Sequence, residues 1–147
     1  MAGLEILNFI HDIGLIWGVG GATVMAIISA KAGKDKDVAK AAMKISPAIV
    51  KMIWIGILLL IVSGILLPSY IRWELNTQNL LIKHILVAWI VIIGVLLGLN
   101  SKKMMDFAPK GDDKPTLGFI RAKKKMKIFS IINLILWYVV VLLSVFV

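Results

Sequence analysis

The sequence predicts an all-α integral membrane protein, with four transmembrane helices in an up-down-up-down bundle and both the N and C termini outside. Three observations carry that reading. Of the 147 residues, 60% are hydrophobic and the mean hydropathy is +0.94, well beyond soluble domains of this length. Four apolar stretches reach the roughly 20 residues a helix needs to cross about 30 Å of hydrocarbon, where the chain must satisfy its own backbone hydrogen bonds. Fifteen of the seventeen Lys and Arg residues fall in two of the connections between those stretches. The positive-inside rule places those two connections in the cytoplasm, in a protein of the cell (plasma) membrane.

Span 1 covers about residues 4–30. Its start has no basic residue and contains Glu5, and His11 and Asp12 interrupt its apolar core, so it reads as a membrane helix rather than a cleaved signal peptide. The segment after it, "KAGKDKDVAKAAMKISP", carries most of the first basic cluster and is expected to be helical, started by Asp35 or Asp37 as a cap. Pro47 then either opens span 2, residues 47–67, or kinks a longer helix, and Pro68 is expected to stop it. The next loop holds Arg72, with Tyr70 and Trp73 placed as interfacial aromatics.

Span 3 covers residues 80–100 and carries Lys83, His84 and a Gly94/Gly98 pair suited to helix packing. The loop "DFAPKGDDKPT" holds two prolines and a glycine, and Thr116 after it is the expected cap of a basic helix leading into span 4, residues 128–147. The run "RAKKKMK" is first a cytoplasmic stop signal and second an anionic-lipid or partner patch. These spans account for most of residues 1–147, which form a single transmembrane domain with no soluble enzyme module. The net charge of +9 is spent on topology, so nucleic acid is not an expected partner. With no cysteine, disulfides and thiolate metal sites are excluded.

The polar groups inside the spans carry the functional reading. His11 and His84 are the only histidines, each about six residues, roughly 9 Å, inside the outer end of its span. Spans 1 and 3 run parallel, so the two imidazoles share a level. If those spans are diagonal, their axes lie about 14 Å apart, given neighbours at about 8–10 Å. A gap of that width suits a flat cofactor held by an imidazole from each side, and haem b with His11 and His84 as axial ligands fits it.

On span 1, positions 11, 14, 18, 21 and 25 share one helical face, so Gly14, Gly18 and Gly21 form a groove beside His11. That groove reads either as ordinary small-residue packing or as clearance for the cofactor. Lys83 and Arg72 are candidates to neutralise outward propionates, with snorkelling to the surface as their ordinary role. Asp12 requires water or a cationic partner, Lys83 or Arg72, because a mid-membrane aspartate costs about 2.5–3.5 kcal/mol.

Alongside these residues, "IHDIGLIWGVGG" in span 1, "MIWIGILLLIVSGILL" in span 2 and "LLIKHILVAWIVIIG" in span 3 resemble the membrane domain of the copper resistance protein D-like family. The layout and length are also similar to the small four-helix protoporphyrinogen oxidase family, which the resemblance makes a haem b binder using a first-helix histidine and a third-helix lysine. His11, Trp17 and Gly18 match the first-helix pattern and Lys83 matches the lysine, while His84 is additional. Where the oxidase family carries an arginine at the inner end of its first helix, this chain reads "MAIISAKAG".

The expected function is electron transfer or haem-dependent redox chemistry, with one haem between helices 1 and 3 near the outer face and with a quinone or a redox protein as partner. The alternatives are a copper-handling or copper-transport protein using His11, Asp12 and His84, and a structural subunit of a homo-oligomer or larger membrane complex. Hydrolase and nucleotide-binding motifs are absent from the sequence.

Overall fold

The computed structural model of the chain describes residues 2–32, 34–70, 77–107 and 116–144. Those residues form four helices, α1 (Ala2–Ala32), α2 (Lys36–Tyr70), α3 (Thr77–Asp106) and α4 (Leu117–Ser144). All four are long and apolar enough to cross a membrane. Apolar side chains such as Ile16, Leu58, Ile92 and Ile131 stand exposed along their middles, which in water would form patches far larger than monomeric soluble proteins tolerate. The chain is a multi-pass membrane protein.

The helices outrun the apolar stretches at the lysine-rich end. Both α2 and α4 begin eleven residues before their expected spans. Hydropathy marks only the part of a helix that meets lipid, whereas alanine and lysine continue the helix into polar surroundings. Asp35 caps α2, its Oδ1 accepting from the Asp37 and Val38 amides at 2.8 and 3.2 Å. Thr116 caps α4 through the Phe119 amide at 3.2 Å.

Pro47 lies inside α2 rather than opening it, and the helix passes Pro68 to end at Tyr70. A proline lacks an N–H but its φ is helical, so one unpaired carbonyl four residues earlier is the local cost and the helix continues. Arg72 and Trp73 lie outside the described residues, as do residues 145–147 of the expected fourth span.

Contacts between helices fix the topology. His11 meets Ser63, Gly14 meets Leu60 and Gly21 meets Ile53, so α1 and α2 run antiparallel. Asn100 on α3 donates to the Ala122 carbonyl on α4 at 3.1 Å, and Phe107 lies over Gly118, so that pair is antiparallel as well. α4 also packs against α1, with Trp137 on Gly18 and the Tyr138 hydroxyl 3.1 Å from Thr23 Oγ1. The result is an up-down-up-down arrangement in which α1 and α3 are parallel.

At the centre stands Trp137, 1% exposed, in a core with Ala22, Ile57, Leu60, Ile90 and Val140. Gly18 makes room for its ring, because a Cβ at that position would collide with the indole. Gly56 brings backbone against backbone: a Cβ there would lie 2.8 Å from the Gly18 nitrogen and 2.9 Å from the Gly14 carbonyl oxygen. Of the expected Gly94/Gly98 packing pair, Gly94 faces Trp54, while Gly98 has open space beside it.

Candidate functional site

The end of the bundle opposite the lysine-rich connections carries both histidines. His11 on α1 is half-buried, and its Nδ1 lies 2.9 Å from Ser63 Oγ on α2. Ser63 is wholly buried, and its hydroxyl donates to the Leu59 carbonyl at 2.6 Å, the usual recourse of a serine inside a helix. A hydroxyl has one hydrogen. With that hydrogen on Leu59, the Ser63 oxygen accepts from His11 Nδ1–H, which leaves the lone pair of the imidazole on Nε2.

His84 reaches the same tautomer by another route. Its Nδ1 lies 2.8 Å from the Leu80 carbonyl, one turn earlier on α3, and a carbonyl only accepts. So Nδ1 carries the hydrogen and Nε2 again carries the free lone pair. Histidines that bind metals are commonly held in this way, with one ring nitrogen tied to the protein and the other free.

The two rings are not equivalent in placement. His84 is exposed, whereas Lys83 is half-buried and, with Asp12, is a charged neighbour of His11. The register explains this. Seven residues, about two turns, separate His11 from Gly18 and Lys83 from Ile90, and both Gly18 and Ile90 belong to the core around Trp137. The parallel helices α1 and α3 therefore carry His11 and Lys83 at one level. His84, one residue on, points about 100° away from Lys83. Asp12 is exposed on α1. Arg72, the second expected propionate partner, lies outside the described residues.

The glycine face has an ordinary occupant. Leu60 and the Gly56 carbonyl fill the space beside Gly14, Trp137 fills that beside Gly18, and Ile53 that beside Gly21. The clearance expected for a cofactor is therefore taken by protein, and the glycines serve helix packing.

Ser63 is the site residue the sequence reading did not single out. The available signal was that it is the one hydroxyl residue in the apolar run 47–67. Among the described residues no three His, Cys, Asp or Glu side chains converge as a metal-ion site. A bare copper ion would thus lack a full protein ligand set there, whereas a porphyrin brings four nitrogens of its own and needs only one or two axial ligands. No protein family, curated protein or solved structure gives a match to this chain.

Proposed function

We propose that this chain is a membrane b-type haem protein for electron transfer or redox chemistry, with the haem between α1 and α3 at the level of His11. The observation that carries the proposal is that His11 and His84 each have Nδ1 hydrogen-bonded, to Ser63 and to Leu80, with no bond to Nε2 among the described residues. When bound, haem would supply a one-electron couple in the membrane. His11 would hold it through its imidazole, which Ser63 orients from the buried side. Lys83 would offer a cation from α3 to an anionic substituent, and His84, exposed and turned about 100° from Lys83, would become a second ligand only if α3 rotated about its axis.

The positive-inside rule orients the molecule, with the lysine-rich connections cytoplasmic and both termini and the histidine end outside. The site then lies near the outer face of the cell membrane. A quinone or a redox protein is the matching electron partner, and homo-oligomers or larger membrane complexes are compatible with the exposed apolar faces. Copper handling at the same histidines is the weaker reading, since the described residues offer no third ligand.

Absorption spectra of the purified protein, expressed with ample haem, test the proposal. Wild type is expected to show a Soret band and a reduced-minus-oxidised α band. His84→Ala should retain haem with altered axial ligation, and Lys83→Met should weaken retention. Copper without porphyrin in the purified protein would sink the haem assignment.

A further inference from the structure

A second site lies at the far end of the bundle, between the lysine-rich ends of α3 and α4. An open cavity of about 420 Å³ is lined there by Lys103 of α3, by Phe107 just past its end and by Gly118, Arg121, Lys124 and Lys125 of α4. Its size falls within the usual range for small-molecule sites. Its form follows from helical spacing. Asn100 and Lys103 share one face of α3, Phe107 follows in the turn just past its end, and Gly118, Arg121, Ala122 and Lys125 share the facing side of α4.

The walls are held in place by direct contacts. Asn100 Nδ2 donates to the Ala122 carbonyl at 3.1 Å and closes the floor, while the Phe107 ring lies over Gly118, where a Cβ would stand 3.3 Å away. Four cations and no acidic side chain line the cavity among the described residues. Four like charges around one opening make it attractive to an anion.

We infer that this cavity binds the phosphate headgroup of an anionic phospholipid. A phosphate accepts hydrogen bonds from several Lys and Arg donors at once, and arginine can offer it a bidentate pair. The lipid is the source, rather than free phosphate, because of where the cavity opens. Lys103 ends the apolar span of α3, and Ile128 and Phe107 place exposed apolar surface beside the cations. A headgroup among the cations then leaves its glycerol and acyl chains against the helices, as in basic pockets between membrane helices that hold anionic lipids. The bound lipid would fasten α3 to α4 at the end remote from the histidines.

Native mass spectrometry of the full chain tests this, after release from nanodiscs of phosphatidylcholine with or without phosphatidylglycerol. Wild type should retain phosphatidylglycerol in preference to phosphatidylcholine, and equal retention of the two overturns the inference without recourse to any variant. The double variant R121Q/K125Q should retain about 30-fold less, taking roughly a fivefold loss per cation near a membrane surface. K31Q/K44Q, which removes two exposed cations outside the cavity, should change retention less than about twofold. An equal loss from that control would mean general surface attraction and no site. Excess inorganic phosphate should leave the lipid in place; its displacement would assign the cavity to free phosphate and overturn the lipid.

Discussion

The pair α1/α2 and the helix α3 are built on different principles. α1 and α2 meet backbone to backbone at Gly14, Gly18 and Gly56, and Ser63 ties His11 across the seam. α3 touches its neighbours through side chains, with Gly94 against Trp54, Ile90 in the core around Trp137 and Asn100 on Ala122. The most apolar window of α2 is 28% buried, and that of α3 only 11%. Lipid competes poorly for surfaces that meet at van der Waals distance over glycine, because association in the membrane rests on packing and not on expelling water. The first histidine thus stands on a fixed frame, and Lys83, at its level, stands with the exposed His84 on the helix with the weakest hold.

Substitutions can break that contrast in graded steps. Trp137 joins both parts, so Trp137→Ala should cost about 4 kcal/mol and loosen all four helices, measured as thermal or denaturant unfolding in detergent. Gly56→Leu should follow at about 3 kcal/mol, since the added side chain meets backbone that cannot yield without parting α1 from α2. Gly98→Leu adds the same side chain to α3 in open space and should cost less than about 0.5 kcal/mol. Equal losses at these two glycines would abolish the distinction. Ser63→Ala should be the smallest change on the α1/α2 side, about 1 kcal/mol in stability, and it frees the His11 ring. If the frame orients His11, the haem spectrum of Ser63→Ala should shift although no ligand has been removed.

Much of this fold is legible in the sequence. The four spans, the caps at Asp35 and Thr116 and the parallel course of the histidine-bearing helices follow from hydropathy, charge and local chemistry. The rotation of each helix is not legible in the same way. In water an apolar stripe shows which face turns inward, but α3 is apolar nearly all round and its sequence has no such stripe. Which of Lys83 and His84 turns toward the bundle is therefore fixed only by packing, with Ile90, two turns beyond Lys83, in the core. The glycine face of α1 is visible as a groove, yet what fills it depends on Gly56, Leu60 and Trp137 from two other helices. Asn133 and Trp137 add a feature no pattern announces: Asn133 Oδ1 and Trp137 Nε1, one turn apart on α4, are buried without a hydrogen-bond partner among the described residues.

The central claim is that His11, held through Nδ1 by Ser63, presents Nε2 as the ligand of a haem. His11→Gly leaves a gap the size of an imidazole at that point, so adding imidazole to the purified variant tests the claim directly. A Soret band is expected in the wild type, with its loss in His11→Gly and its return with imidazole and haem. A wild-type protein without a Soret band, or a variant that keeps an unaltered one, would contradict it.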